Sequence, residues 1–152
     1  MQVKESFESF LITKAGLIPY VIEDGQLKML FMVSSDPQFG GPDPMISKGN
    51  VEDCETPYDC AIREAVEELG LRTSNIKTEP FVLADVSLKG LCDEYFLRVF
   101  ACEVHLHDAF DTPHYETAYT EWMTASEFDL RGRPSHKELV NNLVATLLEG
   151  VA

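Results

Sequence analysis

Apolar residues follow two rhythms along this chain. Residues 15–22, AGLIPYVI, form an unbroken apolar run of strand length, and residues 27–33, LKMLFMV, form another. Between them Glu23-Asp24-Gly25-Gln26 supplies turn chemistry, with Gly25 free to take a positive φ. The spacing predicts a β-hairpin over 15–33. FVLADVSL (81–88) and EYFLRVFACEV (94–104) predict two further strands, and EWMTASEF (121–128) a short strand with a helical turn after it. Residues 34–45 hold three prolines and two glycines and predict a long loop, and residues 105–119 an irregular connection. The helical rhythm governs 56–69 and the stretch from Ser135, where Leu139, Val140, Leu143, Val144, Leu147 and Leu148 recur at helical spacing. Thr56 suits the N-cap of the first helix, Pro57 its first turn, and Asp59 the third position of a capping box. Gly70 and Gly150 are the expected stops. Strands with two amphipathic helices predict an α/β (α+β) fold, a mixed β-sheet between helical layers in an α/β/α sandwich.

With 152 residues and 45% hydrophobic content, the chain fits one domain over 1–152. No apolar run approaches the roughly 20 residues needed to cross a bilayer, and the first residues lack the long apolar stretch of a signal peptide. A soluble, cytoplasmic protein with no membrane partner is expected. The four cysteines, Cys54, Cys60, Cys92 and Cys102, form no CxxC pair and are expected to be free thiols. The formal net charge of −14 repels nucleic acid and argues against general nucleic-acid binding. A small phosphorylated ligand remains compatible with it, provided a cation bridges the two negative partners.

The charge is concentrated. Residues 49–71, GNVEDCETPYDCAIREAVEELGL, carry seven acidic side chains and one arginine in twenty-three positions. On a helix at about 100° per residue, Tyr58, Ile62, Ala65, Val66 and Leu69 share one side. Glu64, Glu67 and Glu68 share the other, at i, i+3 and i+4. Like charges at those spacings each cost roughly 0.2–0.5 kcal/mol, and only Arg63 within the helix offsets them. A hard divalent cation such as Mg²⁺ would remove the repulsion and suits three carboxylates.

The spacing is more specific than the charge. Gly49, Glu55, Arg63, Glu64, Glu67, Glu68 and Gly70 stand at the intervals of G-x5-E-x7-R-E-U-x-E-E-x-G-U, where U is a bulky aliphatic residue. This resembles the signature box of the Nudix hydrolases, with Ala65 a small residue at a U position. The hairpin over 15–33 and the segment Glu116-x4-Glu121-Trp122 are similar to the family's elements before and after its box. The resemblance implies a Nudix-like sandwich and hydrolysis, by attack of water on a phosphorus, of a nucleoside diphosphate linked to another group. It implies Mg²⁺, with Mn²⁺ as a substitute, to screen the phosphate oxygens and acidify the water. Glu64, Glu67 and Glu68 would bind the metal, with the backbone carbonyl of Lys48 as a further ligand. Glu68 or Glu64 would serve as base, Arg63 would hold the carboxylates, and Gly49 and Glu55 would support them from behind. Glu116 corresponds to a loop acid that supplies a ligand or base in some members, and Asp108, Asp111 and Glu121 compete for that place.

Substrate choice lies outside the box. Lys48 before Gly49 resembles the lysine-glycine pair of members that cleave dinucleoside polyphosphates, although Ser47 stands where those members carry proline. Phe39 and Tyr115 are candidates to stack on a nucleobase. ADP-ribose and nucleotide sugars are close rivals, with oxidised nucleotides and capped RNA ends behind them. The expected partner is a small-molecule nucleotide, and a homodimer is compatible with the sequence. A non-catalytic, nucleotide-binding regulatory module on the same fold is the alternative to an enzyme.

Overall fold

The computed structural model describes residues 12–36, 38, 42–89, 94–105 and 107–151. Phe39 and Cys92 lie outside them. Six strands, β1 (Lys14–Glu23), β2 (Gln26–Ser34), β3 (Ser47–Asn50), β4 (Phe81–Lys89), β5 (Glu94–Glu103) and β6 (Thr117–Met123), build one mixed sheet. Among the described residues three α-helices accompany them: α1 (Pro57–Leu69), α2 (Ala125–Arg131) and α3 (Lys137–Val151).

The predicted hairpin is β1–β2, with Gly25 at φ 76° in its turn. The sheet order is β4-β5-β1-β2-β6, with the β1–β5 pair parallel and the other pairs antiparallel. Strand β1 serves two partners along one edge. Its C-terminal half pairs with β2, and its N-terminal half, Lys14–Leu17, pairs with β3. The sheet therefore opens between β2 and β3.

Alternation along the strands sorts the core onto two faces. Ala15, Leu17, Leu30, Met32, Phe100 and Cys102 meet Cys60, Ala61, Ala65 and Leu69 of α1. Ile18, Met29, Phe31, Val99 and Ala101 meet Phe128 of α2 and Leu139, Val140 and Leu143 of α3. This is the expected α/β/α sandwich. Three details differ from the sequence expectation. Strand β3 was not foreseen, and β6 begins at Thr117, inside the expected irregular connection. The last helix continues through residue 150, so Gly150 does not stop it.

The first helix has the expected ends. Thr56 Oγ1 accepts a hydrogen bond from the Asp59 amide at 3.1 Å, and Pro57 occupies the first turn. Gly70 takes the left-handed conformation at φ 72° and donates its N–H to the Ala65 carbonyl. Val66, placed on the apolar side by the helical wheel, is exposed. Burial is carried instead by Cys60, Ala61, Ala65 and Leu69.

Candidate active site

The acidic side of α1 faces the opening between β2 and β3. A cleft of about 380 Å³ lies there, walled by Glu64, Glu67, Glu68 and Glu116 and by Lys14, Lys48, Gly49 and Asn50. The backbone of β3 runs against the glutamates. Glu68 Oε1 accepts from the Lys48 amide and from Ser47 Oγ, both at 2.9 Å. A Cβ on Gly49 would fall inside the Glu64 carboxylate, so the glycine lets that carboxylate stand against β3.

Arg63 organises the acids. Its Nε and Nη2 fork onto Glu55 at 2.8 and 3.1 Å, and its Nη1 donates to Glu64 Oε2 at 2.8 Å. Nη2 also donates to the Asn50 carbonyl at 3.0 Å, which ties the helix to the end of β3. Glu67 lies 3.6 Å from the same guanidinium. Glu55 thus acts through Arg63, and Thr56 takes the cap position.

Crowding and burial raise the proton affinity of the cleft. Burial pushes the Glu64 carboxyl above its usual range, with Glu67 and Glu116 adding to the effect and Arg63 opposing it. Glu68 is pushed up to about 7, first by burial and then by Glu64, against the hydrogen bonds from Ser47 and Lys48. In the same cleft the Lys48 ammonium is brought down to about 8, first by burial and then by Lys14 and Arg133, against the charges of Glu68 and Glu64.

The end of α1 is fastened to the segment that carries Glu116. The carbonyls of Glu67, Glu68 and Gly70 accept from the His114 amide, Thr117 Oγ1 and the Asp111 amide at 2.8, 2.9 and 2.7 Å. These bonds satisfy carbonyls that a helix end leaves without intrahelical partners. They also bring Glu116 to the cleft, where it is exposed. Its competitors are engaged elsewhere. Glu121 is clamped by Arg131 at 2.6 and 2.9 Å, Asp111 pairs with Arg72 at 2.7 Å, and Asp108 lines a separate hollow with Trp122. Tyr115 is exposed and lies outside the residues that wall the cleft.

Lys14, Tyr95 and Arg133 were not singled out from the sequence, and Ser47 was noted there only as a departure from proline. Ser47 is fully buried beneath Glu68. His136 is fully buried, its Nδ1 accepting from the Ile46 amide at 3.1 Å and its Nε2 without a partner among the described residues. The two thiols nearest the core, Cys60 and Cys102, are free, and burial pushes them up to about 11 and about 12.

The donor set fits a hard divalent cation. Its members are carboxylate oxygens, and among the described residues Glu64 Oε1 and Glu68 Oε2 accept no hydrogen bond. Among those residues the side chains do not close around a common point as they stand. Arg63 and Ser47 each hold one of the glutamates by a single oxygen.

The family model described as the NUDIX domain matches residues 16–143, most of the chain. The chain belongs to the Nudix hydrolase family, a family of pyrophosphohydrolases. This Nudix hydrolase is 28% identical over 142 residues to Nudix hydrolase 16, mitochondrial, of Arabidopsis thaliana, covering 83% of this chain and 75% of the relative. Its fold is similar to an Ap4A hydrolase binary complex from C. elegans, with TM-score 0.76, 17% identity and 91% and 98% of the two chains covered. It is also similar to the NUDIX domain of Shewanella oneidensis NrtR complexed with ADP ribose, with TM-score 0.70, 12% identity and 90% and 88% coverage.

Proposed function

We propose that this Nudix hydrolase is a Mg²⁺-dependent enzyme, with Mn²⁺ as substitute, that cleaves the pyrophosphate link of a nucleoside diphosphate joined to a second group. Dinucleoside polyphosphates and ADP-ribose-like nucleotides are its leading substrates. One observation carries this reading: Glu64, Glu67, Glu68 and Glu116 line a single cleft, with Arg63 locked behind Glu64 by Glu55. The ligands named for the C. elegans and S. oneidensis structures support the choice of substrates.

When bound, the cation supplies charge neutralisation at the phosphate oxygens and electrophilic assistance at phosphorus. Glu64, Glu67 and Glu68 would hold it, with the Lys48 carbonyl. The reaction breaks one P–O bond of the link. The water oxygen bonds to phosphorus, the departing phosphate keeps the electron pair, and a carboxylate takes the water's proton. Glu68 would take that proton, with Glu64 the second candidate base. Ser47 and the Lys48 amide hold Glu68 in place for this step.

The test incubates purified protein and Mg²⁺ with diadenosine polyphosphates, ADP-ribose, nucleotide sugars and nucleoside triphosphates, and identifies products by mass. Release of a mononucleotide from at least one of them is expected. Tight nucleotide binding without product in any metal would instead mark a regulatory module.

A further inference from the structure

The cleft also holds a cluster of cations, and the reading above does not use all of it. Lys14 and Lys48 both direct their ammonium groups over the Tyr95 ring, 4.7 and 5.5 Å from its centre. Three stretches of chain make this arrangement. Lys14 starts β1, Lys48 lies opposite Gly16 in the β1–β3 pair, and Tyr95 lies near the start of β5, the parallel neighbour of β1. A Cβ on Gly16 would strike the Ser47 carbonyl and crowd Lys48, so the glycine admits this packing. Arg133 reaches the same place from the connection between α2 and α3. Its Nη1 lies 3.8 Å from the Met45 sulfur, which lines the cleft, and its charge acts on both Lys48 and Tyr95.

In a chain with 26 acids against 12 lysines and arginines, these three cations have no carboxylate within ion-pair distance among the described residues. The ring face attracts the two ammonium groups but leaves their mutual repulsion in place, and the charges of Glu68 and Glu64 on Lys48 offset it only in part, since the Lys48 ammonium is still brought down to about 8, chiefly by burial and then by Lys14 and Arg133. An anion between them would relieve it. The ligand that meets both sets of charges is a chain of phosphates: one part bridged to the glutamates, the next reaching the lysines. Lysine ammonium groups suit the second contact as mobile point charges.

We propose that Lys14, with Lys48 and Arg133, forms a second phosphate-binding site that selects substrates carrying a phosphate beyond the scissile diphosphate. The preferred class is then the dinucleoside polyphosphates or other polyphosphate chains, ahead of ADP-ribose and nucleotide sugars. This rests on the proposed hydrolase reading, and Lys14 is its specificity-determining residue.

The test separates binding from turnover. Calorimetry without divalent metal compares inorganic tripolyphosphate with pyrophosphate, for wild type, Lys14→Gln and Lys14→Arg. Wild type is expected to favour tripolyphosphate, and Lys14→Gln to lose about tenfold of that affinity with little change for pyrophosphate. Lys14→Arg should keep most of it, and the affinity should fall as salt rises. In turnover, Lys14→Gln should raise KM for diadenosine tetraphosphate about tenfold and leave KM for ADP-ribose unchanged. Equal tripolyphosphate affinity in wild type and Lys14→Gln, whether or not the melting temperature drops, overturns the proposal and leaves Lys14 as a cover for Tyr95. Lys14-dependent tripolyphosphate binding with no hydrolysis of any nucleotide would uphold the second site while the hydrolase reading failed.

Discussion

Arg63 and Glu55 meet fork to fork, Nε to Oε2 at 2.8 Å and Nη2 to Oε1 at 3.1 Å, across the first turns of α1. Both side chains are half-buried, at 27% and 13% exposure, so the pair is screened by salt less than a fully exposed one. The pair aims the remaining guanidinium nitrogen at Glu64, and so positions a carboxylate that Glu55 never touches.

Glu55→Gln keeps the shape and removes the charge. The Arg63 hydrogen bond is the main cause holding the Glu55 carboxyl below its usual range. A folded-state pKa lower than the unfolded one stabilises at neutral pH, and that stabilisation is lost only as pH falls from the ordinary carboxylate value down through the lowered folded one. Glu55→Gln should therefore cost about 1–3 kcal/mol at pH 7 and progressively less as pH falls below the ordinary carboxylate range. Urea unfolding across that range checks this, and a difference that stays constant as pH falls would count against the ion pair.

Gly49→Ala places a methyl group where the Glu64 carboxylate stands. Gly49 is a strand residue paired with Ala15, and its φ is not in the left-handed region, so the conflict is with Glu64 alone. The variant should fold, lose about 1–3 kcal/mol of stability to overpacking, and lose most of its turnover. Denaturant unfolding beside a nucleotide hydrolysis assay separates the two losses. Unaltered turnover would mean that the position of Glu64 is irrelevant to the chemistry.

The hairpin, the limits of α1 and the acid set were legible because each depends on local pattern. Apolar runs mark β1 and β2, Thr56-Pro57 and Gly70 mark the helix ends, and the intervals from Gly49 to Gly70 mark the acids. Strand β3 was not, because Ser-Lys-Gly-Asn has neither length nor apolar alternation, and its pairing with β1 is a tertiary choice. The start of β6 was hidden for the same reason, Thr117 being placed by its bonds to the end of α1. Lys48 was legible beside Gly49, but the cationic cluster around it was not. Lys14, Tyr95 and Arg133 come from three other stretches, and nothing local sets them apart from solvated residues.

His136 gives a prediction about acid stability. Burial first, then Lys48 and Arg133, bring its pKa down to about 3, and its Nδ1 accepts from the Ile46 amide, a bond only an unprotonated Nδ1 can make. The unfolded chain takes up this proton near pH 6.5 and the folded chain does not. Stability should therefore fall as pH drops below 6.5, by about 1.4 kcal/mol per pH unit from this group alone. His136→Leu should flatten the pH dependence between 6 and 4 by about one proton, read from chemical unfolding across that range. An unchanged slope would show that the imidazole is protonated inside the fold.

Glu68→Gln retains an oxygen for the Ser47 hydroxyl and the Lys48 amide but removes the charge. Turnover should fall about 10²- to 10⁴-fold while the melting temperature changes by only a few degrees. A steady-state assay paired with thermal unfolding reads both, and full activity would remove Glu68 from the reaction.

The central claim is that Glu64, Glu67 and Glu68 take a divalent cation together at the mouth of the β2–β3 opening. Crystals soaked in Mn²⁺ with a non-hydrolysable dinucleoside polyphosphate, and measured at the manganese absorption edge, test it directly. The account predicts an anomalous peak in the cleft, bonded to oxygens of those three side chains and of the phosphate chain. Nucleotide bound in the cleft with no manganese peak, and the three carboxylates still apart, would contradict it.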